Sequence, residues 1–305
     1  MKENLKKLLV LMLSLLLLAA CGAQTAAPAE DAAPTEDAAP AEDAAPTEDA
    51  VPAEDAAGDA QRTDLIVFAA ASLTETLEQI KPLYEAEHNV NLVFSFESSG
   101  TLKEQIAQGA PCDLFLSAGQ KQMNQLDAAA DGEANPDGLD CILSESRVNL
   151  LENKVTLCVP EGNPKGIDSF DKLAELLKDG EVLLGMGNSD VPVGQYTQKI
   201  LAYYGLEEQA LADAGKISYG TNVKEVTTWV SEGSVDCGVI YCTDAFSAGL
   251  TVADEATADM CGQVIYPAAV VKNGADPEGA QAFLDYLQSD EAMAVFEGVG
   301  FSRVG

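Results

Sequence analysis

Short apolar runs alternate along the chain with stretches whose apolar residues recur at helical spacing. The run at residues 65–68 is followed by Leu73, Leu77, Ile80 and Tyr84, which would share one face of a helix. The same alternation predicts further strands at residues 91–96, 113–116, 155–159, 182–184, 217–219 and 237–241, and helices at residues 102–108, 123–129, 170–177, 196–203 and 223–230, with a helical pair after Pro277. Strands that alternate with helices predict an α/β protein with mostly parallel sheets flanked by helices. About nine strands exceed one compact sheet, so the pattern predicts two lobes.

The first residues predict export. Lys2, Lys6 and Lys7 precede an apolar run at residues 8–20, which is the layout of a secretory signal and too short to span a bilayer. The run ends in small residues followed by Cys21, and this junction resembles the lipobox of bacterial lipoproteins. That resemblance implies cleavage before Cys21 and a lipid on its sulfur. The alternative is an ordinary signal peptide that ends in cysteine.

An acidic repeat follows the signal. Its prolines recur every six residues, and each is followed by a small residue and then Glu-Asp, at Pro28, Pro34, Pro40, Pro46 and Pro52. Regular proline and like charges oppose helix formation, and the apolar residues of the segment, nearly all of them alanines, are too small to build a core. We therefore expect residues 21–62 to consist of the lipidated cysteine and a disordered, extended tether.

The net charge limits the partners of the folded part. Residues 63–305 contain 13 Lys and Arg against 38 Asp and Glu, a formal charge of −25. Such a charge excludes nucleic acid as an expected partner. An anionic ligand would have to be held by local geometry, and the screened surface charge should slow its capture more than it weakens its binding.

Six cysteines remain after Cys21, an even number that permits disulfides outside the cell. However, the sequence has no Cys-x-x-Cys and His88 is its one histidine, so we expect no zinc site. Cys158 lies within an apolar predicted strand, which favours a buried thiol. Disulfides and buried thiols both remain open at this point.

Candidate chemistry lies at four turns that join an apolar strand to the start of a helix. They occupy residues 68–73, 96–102, 191–194 and 219–223. At each turn the first backbone N–H groups of the helix lack partners and the positive end of the helix dipole points outward, which favours an anion. Ser72 and Ser99 would add hydroxyl donors at cap positions, although a serine at a helix start commonly only caps the helix. Four such turns at the carboxyl ends of strands predict one ligand site.

At these residues the chain resembles the periplasmic molybdate-binding proteins of ABC transporters, which have a type II periplasmic-binding-protein fold. The similar segments extend from about residue 64 to residue 301. In lobe 1 they are Phe-Ala-Ala-Ala-Ser-Leu at residues 68–73, Ser-Ser-Gly-Thr-Leu at 98–102 and Gly-Ala-Pro-Cys-Asp-Leu-Phe-Leu-Ser-Ala at 109–118. In lobe 2 they are Val-Pro-Val-Gly-Gln-Tyr at 191–196 and Gly-Val-Ile-Tyr-Cys-Thr-Asp-Ala at 238–245.

The resemblance implies a set of uncharged ligand contacts. These are the hydroxyls and amides of Ser72 and Ser99, the amides of Val193 and Val223, and the hydroxyl of Tyr241. Such donors suit a fully deprotonated oxyanion, molybdate or tungstate, better than phosphate, whose proton needs an acceptor.

Three positions depart from the family. Val193 and Cys112 stand where alanine is usual, and Glu97 stands where a small residue is common. A carboxylate two residues from Ser99 could repel an anion. We expect the turn to direct Glu97 toward solvent.

The resemblance also implies the domain organisation. Lobe 1 would comprise residues 63–149 and 267–305, and lobe 2 residues 150–266, after a signal peptide at residues 1–20. The ligand would lie in the interlobe cleft, and lobe closure would present the complex to an ABC permease. We expect a monomeric protein without a cofactor, lipid-anchored at the outer face of the cytoplasmic membrane or in the periplasm.

Other functions are less favoured by the sequence. A sulfate- or tungstate-selective receptor of the same fold is the nearest alternative, because a sequence gives no cavity radius. An envelope-anchored hydrolase is remote, since no Gly-x-Ser-x-Gly elbow and no phosphate loop occur. An adhesin on a stalk would fit the tether but would not explain the four turns.

Overall fold

The computed structural model describes residues 62–304. The predicted signal peptide at residues 1–20, the predicted lipidation at Cys21 and nearly all of the predicted tether lie outside the described residues. Within residues 62–304, no helix combines the length and the hydrophobicity needed to cross a membrane.

The described part contains eleven strands and eleven α-helices. The strands are β1 (Thr63–Ala70), β2 (Val90–Glu97), β3 (Leu114–Leu116), β4 (Val148–Asn153), β5 (Val155–Val159), β6 (Leu184–Gly187), β7 (Ile217–Gly220), β8 (Cys237–Tyr241), β9 (Thr251–Glu255), β10 (Val264–Val270) and β11 (Ser302–Arg303). The helices are α1 (Thr74–Glu87), α2 (Ser99–Ala107), α3 (Gln120–Asn124), α4 (Phe170–Asp179), α5 (Pro192–Tyr203), α6 (Glu208–Asp213), α7 (Val223–Glu232), α8 (Cys242–Ala248), α9 (Ala258–Cys261), α10 (Pro277–Leu287) and α11 (Asp290–Gly298).

The strands form two sheets. The first has the order β11-β4-β10-β3-β1-β2 and the second the order β7-β6-β8-β5-β9. Strands β1, β2 and β3 are mutually parallel where they pair, as are β6, β7 and β8. The predicted α/β fold of two helix-flanked sheets is confirmed. Each sheet is mixed, because β10 runs antiparallel to β3 and β4, and β5 runs antiparallel to β8 and β9.

Two strands of the first sheet form the connection between the lobes. The chain passes from β4 into β5 at Lys154 and returns after β9 into β10. We call β4, Lys154 and β10 the hinge. The predicted lobe boundaries, at residues 149 and 150 and at residues 266 and 267, fall inside these two strands.

The side chains of β1 are buried on both faces of the first sheet. Leu65, Val67 and Ala69 belong to one buried apolar cluster and Phe68 to another, as expected when successive side chains alternate across a sheet. The last two helices pack on elements of the first lobe, α10 against β3 and β10 and α11 against α1.

One predicted helix is largely wrong. The pattern at residues 123–129 suggested a helix, but α3 ends at Asn124. Asp127 is buried, and its carboxylate accepts hydrogen bonds from the Ala129 amide at 2.9 Å and from Arg147 Nη1 at 2.8 Å. An Asp side chain that binds nearby backbone in this way competes with helical hydrogen bonding.

The six cysteines of the described part are all free thiols. Burial is the main cause that raises the pKa of Cys112 to about 12 and that of Cys158 to about 11, so both are protonated and unreactive at neutral pH. Four cysteines are buried thiols, as the sequence favoured: Cys112, Cys158, Cys237 and Cys261. The other two, Cys141 and Cys242, are partly exposed.

Candidate functional site

The four predicted turns lie at the carboxyl ends of parallel strands, two in each sheet. In the first lobe, β1 leads into a 3-10 turn at Ala71–Leu73 and β2 leads into α2. In the second lobe, β6 precedes α5 and β7 precedes α7. The N-termini of these helical segments therefore occupy the edge of each sheet where ligands of α/β proteins collect.

The cap of α2 differs from the prediction. Ser98, not Ser99, is the N-cap, and its Oγ accepts a hydrogen bond from the Thr101 amide at 3.1 Å. Ser99 is the first residue of the helix, fully buried, and its Oγ accepts from the Ala118 amide at 2.9 Å. The hydroxyl proton of Ser99 is therefore not used by this contact and remains available to a ligand.

Ser72 is likewise not a cap, because it lies inside the 3-10 turn, which has no side-chain cap. Its Oγ lies 2.9 Å from the Tyr266 hydroxyl, and that hydroxyl lies 3.1 Å from Nδ2 of Asn153. Asn153 also donates to Oγ1 of Thr243 at 3.0 Å. Sequence reasoning missed Tyr266 and Asn153, which belong to the hinge and are more than 100 residues apart along the chain.

The second lobe contributes two helix starts. Helix α5 begins with Pro192 after Val191, and close packing at Gly194, where a Cβ would lie 2.2 Å from the Gly187 carbonyl oxygen, seats it on β6. Helix α7 is capped by Asn222. Neither Val193 nor Val223 has an intrahelical acceptor for its N–H, because each lies in the first turn of its helix.

Tyr241 ends β8 and is 1% exposed. Its hydroxyl donates to the Ala118 carbonyl oxygen, across the lobes, at 3.3 Å. Burial, reinforced by the neighbouring Tyr266, raises the pKa of Tyr241 well above its usual range, so the phenol stays protonated and can act as a donor. The Ala118 peptide thus contacts Ser99 through its N–H and Tyr241 through its carbonyl.

These elements line a small, partly open cavity of about 10 Å³ between the lobes, which we call the interlobe cavity. It is lined by Ala70, Ala71, Ser72, Glu97, Ser98, Ser99, Ala118, Val191, Pro192, Val223 and Tyr241. Four of the five predicted ligand-binding residues are therefore brought together here. Val193 is not among the lining residues, although its two preceding neighbours are. The predicted roles of all five stay predictions.

Glu97 does not simply face solvent. It is half-buried and lines the interlobe cavity, because β2 continues through Glu97 and the turn begins only at Ser98. Its carboxylate is the one acidic side chain among the lining residues. Within residues 62–304, no group of three or more His, Cys, Asp and Glu side chains could hold a metal ion.

A larger groove of about 510 Å³ lies beside the hinge. It shares Pro192 with the interlobe cavity and carries two lysines, Lys121 and Lys199, but none of the predicted ligand-binding residues lines it. The convergence of helix starts and hydroxyls, not the size of the space, identifies the smaller cavity as the candidate site.

The two lobes contact each other beside the interlobe cavity. The Gly100 amide donates to the Asp190 carbonyl oxygen at 3.1 Å. Lys224 of α7 lies 2.7 and 2.6 Å from the two carboxylate oxygens of Glu75 in α1, and 2.8 Å from Oδ1 of Asp244. These contacts define a closed arrangement of the lobes.

The ion pairs around Lys224 shift its pKa and that of Asp244. Burial acts to lower the pKa of Lys224, but the charges of Asp244 and Glu75 outweigh it, and the pKa is raised. Burial raises the pKa of Asp244 to about 6, although Lys224 opposes this shift. Asp244 is 1% exposed, and its Oδ2 has no hydrogen-bond partner among the described residues.

Residues 65–302 match the family model of the bacterial extracellular solute-binding proteins, which is most of the chain. The chain belongs to this family. Solute-binding proteins bind and present their ligands without transforming them, so this member of the family is not an enzyme. The family description also agrees with the predicted export of the chain.

Individual relatives agree with the resemblance to molybdate-binding proteins. The chain is 33% identical over 247 residues to the molybdate-binding protein ModA of Escherichia coli (strain K12), covering 80% of this chain and 90% of that protein. It is 37% identical over 244 residues to YvgL of Bacillus subtilis (strain 168), named as a candidate ABC transporter substrate-binding lipoprotein, covering 79% of this chain and 87% of that protein.

A solved structure supports the fold. The periplasmic molybdate-binding protein of Azotobacter vinelandii has a TM-score of 0.66 at 22% sequence identity, over 79% of this chain and 100% of that one. The predicted fold of a two-lobed periplasmic solute-binding protein is confirmed.

Proposed function

We propose that this solute-binding protein binds molybdate, and tungstate in the same way, in the interlobe cavity and delivers it to an ABC permease for uptake. The observation that carries the proposal is the convergence of neutral donors. Three buried serines, Ser72, Ser98 and Ser99, and Tyr241 line one small cavity together with the starts of helices from both lobes. Molybdate is the ligand and no cofactor is involved.

Neutral donors can hold a dianion in a strongly acidic protein. Each hydrogen bond to a charged group is worth about 1.5–3 kcal/mol, and backbone N–H groups at helix starts add their dipoles. The negative charges spread over the surface act at a distance and are screened beyond about 8 Å at physiological salt. Ser72 and Ser99 would donate through their hydroxyls and amides, and Val193 and Val223 through their amides.

The relatives give the proposal its ligand. ModA of E. coli is by name a molybdate-binding protein, and the chain resembles it over most of its length. Calorimetric titration of the purified protein with molybdate, tungstate, sulfate and phosphate tests the choice. We expect one molybdate or tungstate per chain and weaker binding of the other two; a preference for sulfate would make the protein a sulfate receptor of the same fold.

We also propose that the mature protein is held at the membrane by a lipid on Cys21. The basic and apolar residues before Cys21 support this, and YvgL of B. subtilis is itself named as a lipoprotein. Membrane fractionation of a Cys21→Ser variant is the test. The variant is expected in the soluble fraction, and its retention with the membrane would contradict the anchor.

A further inference from the structure

A chain of buried hydrogen bonds connects the hinge to Ser72. Asn153, Tyr266 and Ser72 are 3%, 1% and 4% exposed, so these polar groups have little access to bulk water. The hydrogen atoms in such a chain cannot be placed independently, because each donor needs an acceptor. The contacts of Asn153 determine which group is the donor in each of these hydrogen bonds.

The orientation of the Asn153 amide follows from its neighbours. Its Oδ1 lies 2.8 Å from the Lys154 amide, which can only donate, so this atom must be the acceptor oxygen. The Cys242 thiol also donates to Oδ1, at 3.1 Å. Nδ2 therefore faces Thr243 and Tyr266, and the Tyr266 hydroxyl accepts one of its N–H groups.

Tyr266 has one proton left to donate. Among the described residues, Ser72 Oγ is the nearest remaining hydrogen-bond partner of its hydroxyl, at 2.9 Å, and the Tyr241 hydroxyl is a second neighbour. When Tyr266 donates to Ser72, the Ser72 proton is directed elsewhere, and Ser72 lines the interlobe cavity. The opposite direction would leave the buried Tyr266 proton without an acceptor in good hydrogen-bond geometry, which is unfavourable.

We propose that Tyr266 and Asn153 are positioning residues that determine anion specificity. They make the Ser72 hydroxyl a proton donor toward the interlobe cavity. Ser72 can then bind only a ligand oxygen atom that carries no proton. A molybdate or sulfate dianion meets this condition with every oxygen. Hydrogen phosphate meets it with three of its four oxygens only, because its P–OH group needs an acceptor. The inference rests on the proposed function in one respect, that the cavity holds an oxyanion.

The variant Tyr266→Phe tests this role most directly. Tyr266→Phe keeps the ring, including its edge contact with Tyr241 at a centroid distance of 5.6 Å, but removes the hydroxyl. Ser72 is then free to accept as well as donate. We expect the ratio of molybdate affinity to phosphate affinity, measured by calorimetry at pH 6, to fall by roughly tenfold or more.

Two comparisons separate this role from a merely structural one. In a Ser72→Ala background, Tyr266→Phe should leave the affinity ratio unchanged, because Tyr266 acts through Ser72. The matched control is Thr243→Val, which removes the other acceptor of the Asn153 amide and leaves the contacts from Asn153 to Ser72 intact. We expect Thr243→Val to preserve the ratio.

A second variant tests the donor and acceptor assignment of these hydrogen bonds. Asn153→Asp keeps the oxygen that faces Lys154 but replaces the donor that faces Tyr266 with an acceptor. Tyr266 would then donate to position 153 and Ser72 would donate to Tyr266, so that Ser72 presents a lone pair to the cavity. The ratio of molybdate to phosphate affinity should fall below that of Tyr266→Phe. This measurement also decides the matter if Tyr266→Phe fails to fold.

The outcomes distinguish this inference from the proposed function. If the wild-type protein binds sulfate and not molybdate, the choice of molybdate is wrong. The ratio of sulfate affinity to phosphate affinity then tests the positioning role of Tyr266 and Asn153. If the ratio of molybdate affinity to phosphate affinity is the same in Tyr266→Phe and in the wild type, the positioning role is overturned. An equal fall in the Ser72→Ala background, or a wild-type protein that prefers phosphate, also overturns it. A protein that binds no oxyanion overturns both.

Discussion

Lys224 of the second lobe binds both carboxylate oxygens of Glu75 in the first lobe, at 2.7 and 2.6 Å. This ion pair joins α7 to α1 close to Val223, which lines the interlobe cavity. Because its partners belong to different lobes, the pair can form only when the lobes are closed. It therefore contributes to ligand affinity by favouring the closed form.

Removing the charge of Glu75 should weaken ligand binding modestly. Glu75 is partly exposed, with 41% of its side-chain surface accessible, and exposed ion pairs are worth about 0.2–1 kcal/mol. We expect Glu75→Gln to lower molybdate affinity about two- to fivefold in calorimetry at low salt. Glu78→Gln, an exposed residue on the same helix, makes the same change in charge and should have no effect. Equal affinities of the wild type and Glu75→Gln would show that the pair does not influence closure.

At Gly100 the contact between the lobes leaves no room for a larger side chain. A Cβ there would lie 2.3 Å from the Asp190 carbonyl oxygen of the other lobe. Gly100→Ala should therefore hold the lobes apart and lower molybdate affinity by about tenfold or more. Because Gly100 lies within α2, alanine should not lower the melting temperature.

The control for Gly100 is Gly298→Ala at the end of α11, where an added Cβ meets no atom within 4 Å. It should leave the affinity unchanged. An unaltered affinity in Gly100→Ala would mean that the closed lobes tolerate the methyl group.

Glu97 lines the interlobe cavity, where its negative charge should oppose a bound anion. Replacing it with glutamine keeps the shape and removes the repulsion. We expect Glu97→Gln to bind molybdate about threefold more tightly or better, with the effect decreasing as salt is added. Glu161→Gln, an exposed residue in a loop after β5, is the matched change in charge and should not alter affinity. Weaker binding by Glu97→Gln would show that Glu97 assists the ligand.

Asp244 should make stability depend on pH in an unusual direction. Burial raises its pKa to about 6, whereas an aspartate in an unfolded chain has a pKa near 3.9. The folded protein therefore binds this proton more tightly than the unfolded chain. The free energy of unfolding contributed by Asp244 consequently falls as the pH rises from about 4 to 6.

Urea unfolding of the wild type and Asp244→Asn measures this contribution. The difference in free energy of unfolding, wild type minus variant, should be larger at pH 4.5 than at pH 7, by on the order of 2 kcal/mol. Other carboxyl groups titrate in both proteins and cancel in the difference. A difference that does not change with pH would assign Asp244 an ordinary pKa.

The sequence was sufficient to predict the four turns because each is encoded locally. An apolar strand followed by small or hydroxyl residues and a helix start is visible within about seven residues, as at residues 68–73. The order of strands and helices then predicts that such turns share one edge of a sheet. Ser72, Ser99, Val223 and Tyr241 do meet around one cavity.

The relationships that the sequence did not reveal are long-range. The contact between Ser72 and Tyr266 joins residues 194 apart, and no local pattern marks Tyr266 as more than a buried aromatic. The exposure of Glu97 was misjudged because the end of β2 depends on its pairing with β1, which continues to Ala70 and Glu97. The helix predicted at residues 123–129 failed because the Asp127 carboxylate binds the Ala129 amide and is held there by Arg147, which lies outside any local pattern.

We propose that neutral donors directed into the interlobe cavity hold a molybdate ion. The most direct test is calorimetric titration of the wild type and a Ser72→Ala, Ser99→Ala double variant with molybdate. Loss of two hydroxyl donors to a dianion should weaken binding by about a hundredfold or more. We predict one molybdate per wild-type chain and that loss of affinity in the folded double variant. A wild type that gives no heat with molybdate, or a double variant that binds it equally tightly, would contradict the account.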